Sequence, residues 1–253
     1  MGKMGGSRHL KREMAPKFWP IHRKEFQWTA KPNAGPHPID RCIPLVLVLR
    51  EMLHYAKTEK EAKQIISQGK IRVDGKIRRD EFFPAGLMDV ISISDSGKHF
   101  RLLPSEKGLT LHPIDEAEAD FKLCRVENKN TIKNGHVQLD LHDGRNLVIR
   151  VNDPRNPEED TYHTLDILKI RLEDQLILEH LKMSEGTLAM FIDGENVGKY
   201  GKIVSISESG LKRRKSLVTI EDENGEKYQT IMDYVFVIGD EKPRISPPRM
   251  EGD

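Results

Sequence analysis

Five basic side chains surround an Asp-Gly dipeptide in the stretch SQGKIRVDGKIRRD, which spans residues 67–80. They are Lys70, Arg72, Lys76, Arg78 and Arg79. Clustered Lys and Arg side chains neutralise phosphates and donate charge-assisted hydrogen bonds to them. Asp-Gly between short runs with alternating apolar residues predicts a β-hairpin. We therefore expect a phosphate-binding surface on a tight turn.

Two short helices are predicted to position this hairpin. The first has an apolar face with i, i+3, i+4, i+7 spacing, formed by Leu49, Met52, Leu53 and Ala56. The second has an apolar face formed by Ala62, Ile65 and Ile66. Thr58 and Glu61 predict a capping box at the start of the second helix, and Gly69 predicts its end. Lys60 and Lys63 then lie on its polar face and extend the positive charge of the hairpin.

The register of the hairpin decides which side chains share a face. A two-residue loop at Asp74-Gly75 would place apolar and basic side chains on the same face. A three-residue loop that also includes the next residue pairs Val73 with Ile77 and Arg72 with Arg78, which separates the two kinds of side chain. We therefore expect the three-residue loop.

A second hairpin is predicted in HVQLDLHDGRNLVIRV, residues 136–151. A three-residue loop of Asp143, Gly144 and Arg145 would again keep the apolar residues on one face. The expected cross-strand pairs are Leu141 with Leu147, Leu139 with Ile149, and Val137 with Val151.

The net charge of +1 hides an uneven distribution. Residues 1–105 contain 20 Lys and Arg against 11 Asp and Glu, whereas residues 106–253 contain 21 against 29. The front of the chain is therefore +9 and the back is −8. Such an asymmetry predicts that the front neutralises a polyanion, of which a polyphosphate backbone is the commonest in the cytosol. The alternative is an ordinary solvated charged surface.

The N-terminal arm, residues 1–42, mixes cations, aromatic rings and prolines. Its candidate phosphate contacts are Arg8, Lys11, Arg12, Lys17, Arg23 and Lys24. Its aromatic residues are Phe18, Trp19, Phe26 and Trp28. The prolines predict an irregular arm, and this composition is typical of arms that grip folded RNA and become ordered only on binding. In the alternative, the aromatic rings fold back onto the protein's own core.

Several other classes of function lack their sequence signals. Cys42 and Cys124 are far apart with no CxxC spacing, which argues against a disulfide framework and a thiolate zinc site and indicates two core thiols. No HExxH, nucleophile elbow, GxGxxG or phosphate loop occurs. No apolar run approaches the roughly 18 residues of a membrane span. We expect a cytoplasmic protein without a cofactor, a metal or a small-molecule substrate.

The two helices and the following KIRVDGKIRRDEFFPAGLMDVISI resemble the αL-type RNA-binding domain. This module is also found in some pseudouridine synthases and in tyrosyl-tRNA synthetases, so the resemblance alone implies RNA binding and no particular activity. Pseudouridine synthases share a catalytic Asp in a Gly-Arg-Leu-Asp setting. Here Gly144 and Arg145 are followed by Asn146, so that nucleophile is missing.

Further motifs, in order along nearly the whole chain, resemble the S-four-e family of small-subunit ribosomal proteins of archaea and eukaryotes. They are HLKR, APKFW, GPHPIDRCIPL, FPAGLMDVISI, EAEADFKLCRV and GENVGKYGKI. The resemblance implies a structural constituent of the small ribosomal subunit that binds small-subunit rRNA and lies beside other small-subunit proteins. The alternative function is an RNA-modifying enzyme or an RNA chaperone that carries the same domain.

The stretch FIDGENVGKYGKIVSI resembles a KOW motif, the opening hairpin of small SH3-like barrels. Gly198 and Gly201 are expected where the backbone bends sharply or approaches another backbone, with Lys199 and Lys202 beside them. The alternative is a structural hairpin without a ligand. The acidic surroundings favour a protein partner or only the edge of an RNA. The basic run Lys212 to Lys215 is expected at the tip of a loop of this barrel, in contact with RNA or solvent.

The expected fold class is α+β and mostly β. We expect an irregular basic arm at 1–42, an αL-type RNA-binding domain at 43–105, a β-rich middle domain at 106–173, and a KOW or SH3-like barrel with a tail at 174–253.

Overall fold

The structure, a computed structural model, describes residues 7–153, 155, 157–207, 216–222 and 224–247. The chain divides into two compact units. The first comprises Met1–Leu102 and Lys107–Pro113, and the second comprises Leu103–Glu106 and Ile114–Asp253. Within the described part of the chain, no helix has the length and apolar character needed to cross a membrane.

Among the described residues, the N-terminal part of the chain contains two α-helices and nine strands, most of them short. In chain order they are β1 (Leu10–Lys11), β2 (Trp28–Thr29), β3 (Cys42–Pro44), α1 (Leu45–Leu47), α2 (Glu59–Ser67), β4 (Ile71–Val73), β5 (Lys76–Ile77), β6 (Pro84–Gly86), β7 (Val90–Ile93), β8 (Lys98–Ser105) and β9 (Gly108–Ile114). A π-helix at Val48–Met52 continues α1, and 3-10 helices occupy Arg12–Met14 and Ile39–Arg41. Strands pair as β1-β2, as β3-β6 and as a five-stranded sheet of order β5-β4-β7-β8-β9.

Helix α2 forms as its local pattern predicts. The Thr58 hydroxyl accepts from the Glu61 N–H while the Glu61 carboxylate accepts from the Thr58 N–H, which is a complete capping box. Gly69 ends the helix at φ 76°. Ala62 and Ile66 are fully buried in the core of the first unit.

The first helix ends earlier than its apolar pattern predicts. Helical structure stops at Met52, so the expected helical position of Ala56 is wrong. His54 adopts φ 55° and the Tyr55 N–H donates to the Leu49 carbonyl at 3.0 Å, a left-handed helix end. Ala56 is nevertheless buried, because the chain that follows the helix still packs on the core.

The expected register of the first hairpin is wrong by one residue. Val73 is opposite Lys76 and Arg72 is opposite Ile77, so the loop is the two-residue Asp74-Gly75 turn. Both loop residues have positive φ, 51° and 73°, which is the conformation of a type I′ turn. Ile77 is consequently on the outer face and is 50% exposed.

The arm is largely extended, with one two-stranded ribbon and short 3-10 turns, but it is not independent of the core. Trp19 is 3% exposed, and its indole N–H donates to the Cys42 carbonyl at 2.7 Å. Ala15 is buried in the same cluster. The fold-back alternative therefore holds for Trp19, since burial of this large apolar ring stabilises the core. Phe26 and Trp28 remain exposed.

The strands described in the C-terminal part of the chain form two five-stranded sheets with antiparallel pairing. Its elements are α3 (Glu116–Ala119), β10 (Phe121–Thr131), β11 (Val137–Leu141), β12 (Asn146–Ile149), β13 (Ile167–Arg171), β14 (Ile177–Leu181), β15 (Leu188–Phe191), β16 (Tyr200–Ser207), β17 (Leu217–Glu221), β18 (Lys227–Ile231) and β19 (Val235–Gly239). The sheet orders are β12-β11-β10-β13-β14 and β18-β17-β16-β15-β19. The α+β, mostly β fold class is confirmed.

The second hairpin keeps its predicted faces but shifts its register by two residues. Val137 is opposite Ile149 and Leu139 is opposite Leu147. The three-residue loop is His142, Asp143 and Gly144, and Gly144 takes φ 75° at the third loop position. A left-handed glycine at that position is the preferred chemistry of a three-residue hairpin loop. A shift of two leaves every side chain on its original face.

A buried ion pair joins this loop to β10. The Lys122 ammonium lies 3.1 Å from the Asp143 carboxylate, and neither side chain is more than 2% exposed. Arg145 contacts the same carboxylate oxygen at 3.1 Å. Burial alone raises the pKa of Asp143, but the charges of Lys122, His142 and Arg145 outweigh it and lower the pKa to about 2.

Candidate nucleic-acid interface

The hairpin turn is held by its own neighbouring strand. The Asp74 carboxylate is 6% exposed and accepts from the Val90 N–H at 3.0 Å, while the Asp74 N–H donates to the Val90 carbonyl at 2.9 Å. A short carboxylate that satisfies a buried N–H removes the cost of leaving that donor unpaired. The turn is therefore anchored to β7, and the basic side chains around it stand on a fixed backbone.

Six predicted cations stand on α2 and the β4–β5 hairpin, and we call them the hairpin cation face. They are Lys60, Lys63, Lys70, Arg72, Lys76 and Arg79. All but the partly buried Lys70 are exposed. Lys63 pairs with Glu81 at 2.7 Å and Lys70 pairs with Asp95 at 2.6 Å. Surface ion pairs of this kind contribute little free energy, so they can be exchanged for contacts to phosphates.

Helix α2 and the hairpin meet at the end of the helix. A Cβ placed on Gly69 would lie 3.2 Å from the Ile77 side chain and 3.7 Å from Nε of Arg79. Lys63, on the same helix, reaches the segment after the hairpin through Glu81. The two elements thus place their cations on neighbouring surface, as the sequence predicts.

Arg78 differs from the other hairpin cations. Its guanidinium lies over the Phe83 ring at 4.3 Å from the centroid. Its Nε is buried and has no hydrogen-bond partner among the described residues. Because the two-residue loop turns this side chain toward the interior face, Arg78 contributes to packing of the domain.

The arm divides its cations between internal and external positions. Arg12 is 7% exposed and donates to the carbonyls of His22 and Trp28. Arg23 donates to four carbonyls, those of Arg12, Glu13, Ala15 and Pro16, at 2.8–3.3 Å. These two guanidinium groups hold the arm in its fold. The predicted arm contacts that are exposed are Arg8, Lys11, Lys17 and Lys24.

The glycines of the KOW-like stretch have the close contacts that the sequence predicts. A Cβ on Gly198, at φ 87°, would lie 2.8 Å from Cα of Ser105. A Cβ on Gly201 would lie 2.3 Å from the Glu221 carbonyl oxygen. The following residues form strand β16 and not a helix, which confirms that this stretch is no phosphate loop.

Lys199 and Lys202 differ in what surrounds them. The Lys199 ammonium donates to the Tyr228 hydroxyl at 2.8 Å, and this hydrogen bond raises the pKa of Lys199. Lys202 is exposed and lies opposite Glu221 in the neighbouring strand. Lys199 is therefore close to a phenolic oxygen and Lys202 to a carboxylate. The basic run Lys212 to Lys215 lies outside the described residues.

Both cysteines are buried and free, as predicted for core thiols. Burial, followed by the charges of Asp40 and Asp89, raises the pKa of Cys42 to about 12. Such a thiol is protonated at neutral pH and is a poor nucleophile. Among the described residues, no group of His, Cys, Asp and Glu has the arrangement of a metal site.

Some surface cations lie beyond the set that sequence reasoning selected. Arg50, Lys57 and Lys31 line a groove beside the β1–β2 ribbon, together with His9 and Trp28. The one sequence feature that points to these cations is the position of Lys57 at the break between the two helices. Nothing in the sequence shows that the ribbon lies beside that break.

Family models cover most of the chain. The RS4NT (NUC023) domain matches residues 4–40, the S4 domain matches 43–91, and Ribosomal family S4e matches 96–177.

Whole-chain relatives agree with these matches. The small ribosomal subunit protein eS4 of Desulfurococcus amylolyticus is 55% identical, and the alignment covers 98% of each chain. The eS4 protein of Methanocaldococcus jannaschii is 46% identical over 97% of this chain and 99% of that one. The crystal structure of the 30S ribosomal protein S4e from Thermoplasma acidophilum has a TM-score of 0.66 and 29% identity, and the match covers 79% of this chain and 96% of that one. These relatives are named as ribosomal proteins and not as enzymes, and the chain belongs to the S4e family of ribosomal proteins.

Proposed function

We propose that this chain is a structural constituent of the small ribosomal subunit that binds and orders small-subunit rRNA during assembly and translation. The observation that supports this most directly is the hairpin cation face, which presents six Lys and Arg side chains on anchored backbone. The relatives of this chain are named small ribosomal subunit proteins. The proposal also places the chain on ribosomes in the cytoplasm.

The contacts of this face are proposed to be with phosphates and not with base edges. Lys and Arg at a hairpin and along one side of a helix track the backbone of folded RNA by shape and charge. Arg72, Lys76 and Arg79 are proposed as the central contacts, since their side chains are exposed. Exposed arm cations extend the same interaction.

The acidic second half of the chain is proposed to contact neighbouring small-subunit proteins or only the edge of the RNA. It carries 29 Asp and Glu against 21 Lys and Arg from residue 106 onward. An RNA backbone would be repelled by most of such a surface, whereas basic ribosomal proteins would be attracted. We also propose that these roles are divided among four segments of the chain, with boundaries at 42, 105 and 173.

The test is the salt dependence of RNA binding. The double variant Arg72→Ala/Arg79→Ala should flatten the slope of log Kd against log salt by roughly 1.4 to 1.8, because each lost phosphate contact contributes about 0.7 to 0.9. The matched control is Lys182→Ala/Lys227→Ala, which removes two exposed cations from the second unit. Equal slopes for the two double variants would contradict the proposed face.

Assembly gives an independent measurement. The protein should co-sediment in equimolar amount with small subunits reconstituted in its presence. The Arg72→Ala/Arg79→Ala variant should leave the subunits at a lower salt concentration than the control variant does. Sub-stoichiometric, transient association would instead indicate an enzyme or a chaperone.

A further inference from the structure

A groove of about 1550 Å³ opens in the first unit between the β1–β2 ribbon and the chain that links the two helices. Pockets for small ligands are about 300–1,000 Å³, so this groove has room for a short stretch of polymer. The side chains that line it and carry charge are Arg8, Arg12, Glu25, Lys31, Arg50, Glu51, Lys57 and Glu59. Five cations against three carboxylates make it moderately positive.

Trp28 offers an exposed aromatic face in this groove. Its side chain is 49% exposed, whereas Trp19, the other tryptophan, is 3% exposed and fills the core. The His9 ring lies 5.4 Å from the Trp28 ring and is tilted by 50°, so it does not cover the ring as a parallel stack would. Nearby Phe26 is already approached by the Arg12 guanidinium at 5.0 Å.

Lys11 stands directly across the ribbon from Trp28. The two residues are paired in β1 and β2, which puts their side chains on the same face with Cβ atoms about 5 Å apart. Both side chains are exposed, and Lys11 lies between Leu10 and Arg12, which line the groove, although it is not itself a lining residue. An aromatic plane next to an ammonium group is the pair of contacts that one nucleotide needs, since the base stacks on the ring and the phosphate pairs with the cation.

We propose that this groove binds an unpaired stretch of RNA, with one base stacked on Trp28 and the adjoining phosphate held by Lys11. The proposal rests on the proposed function and adds to it a second, single-strand site apart from the hairpin cation face. Paired RNA keeps its bases inside the helix and cannot offer a free face to the ring. Arg8 and Lys57 lie on the path that the strand would follow.

The experiment uses the full chain and two probes, an octa-adenylate single strand and a 12-base-pair RNA duplex. Trp28→Ala should raise the Kd for the octamer roughly 5- to 140-fold, which corresponds to about 1–3 kcal/mol per stacked base. It should change the Kd for the duplex less than twofold. Trp28→Phe, which keeps a ring, should lose less affinity for the octamer than Trp28→Ala.

Tryptophan emission gives a readout that a purely structural role would not move. The octamer should quench the wild-type protein through Trp28, and it should not quench Trp28→Phe, in which only the buried Trp19 remains. Unchanged emission from Trp19 in both variants also shows that the core is intact. The matched control is Tyr55→Ala, an aromatic ring that is 42% exposed and lies outside the groove lining.

Two failures are distinguishable. If the wild-type protein binds the duplex with a salt-dependent Kd but Trp28→Ala weakens octamer binding no more than Tyr55→Ala does, the single-strand site is overturned and the proposed function stands. If the wild-type protein binds neither RNA, both proposals are overturned.

Discussion

Replacing Asp143 by Asn should destabilise the second unit by about 3–5 kcal/mol. The carboxylate is the counter-charge of Lys122, whose side chain is fully buried, and it also contacts Arg145. An amide of the same shape would remove the negative charge that faces the buried ammonium, and removing one partner is the costly way to break a buried pair. The substitution creates no cavity, so the loss in the free energy of unfolding would come from the missing charge and not from altered packing.

The same pair gives a signed pH dependence. The pKa of Asp143 falls from an ordinary 3.8 to about 2, a difference that corresponds to about 2 kcal/mol. Because the folded-state pKa is the lower one, the contribution is complete above about pH 4. It is lost progressively as the pH falls toward about pH 2. Asp143→Asn should therefore lack this part of the acid dependence of wild-type stability.

The assay is urea unfolding of the wild-type protein and its variants at pH 7 and through the acid range. Asp174→Asn is the matched control, because Asp174 pairs with Arg171 at 3.0 Å on the surface, where an ion pair contributes little to the free energy of unfolding. The double variant Lys122→Met/Asp143→Leu should recover most of the loss, since it removes both charges. If Asp143→Asn costs no more than Asp174→Asn, the buried pair does not stabilise the unit as argued.

Two further comparisons test local structure by chemical unfolding. Arg78→Ala should lower the free energy of unfolding by about 1–2 kcal/mol, because it removes a cation stacked on a ring. Ile77→Asp, at a half-exposed position, should lower it by less than about 1 kcal/mol. The reverse order would support the three-residue loop. Gly198→Ala should cost more than Gly97→Ala, since both glycines have positive φ but only Gly198 has backbone within 3 Å of the added Cβ. Equal costs would show that the KOW-like bend can relax.

Helix α2 was predictable because its determinants are local. Thr58, Glu61 and Gly69 fix its ends through hydrogen bonds within a few residues, and Ala62 and Ile66 fix its buried face. Such signals depend little on the rest of the chain.

The end of the first helix was not predictable in this way. No glycine or proline marks it, and His54 takes the left-handed conformation that usually belongs to glycine. The apolar positions continue past it because tertiary packing, and not helical periodicity, buries Ala56.

The hairpin shows two sequence signals in conflict. Segregation of apolar and basic side chains favoured the three-residue loop, while Asp-Gly favoured the two-residue type I′ turn. The turn prevailed because Lys76 is at the end of a two-residue strand, where a long side chain can turn to solvent from either face. Asp74 adds a further reason, the buried hydrogen bonds to Val90, that the sequence does not display.

The arm shows why the sequence cannot separate structural from RNA-binding arginines. A guanidinium donates to backbone carbonyls and to phosphate oxygens with the same N–H groups, so Arg12 and Arg23 look like Lys17 or Lys24 until the fold is known. Carbonyls, however, satisfy donors without cancelling charge. Arg12 and Arg23 therefore still contribute to the positive potential within about 8 Å at physiological salt, which would favour the approach of a polyanion to the arm.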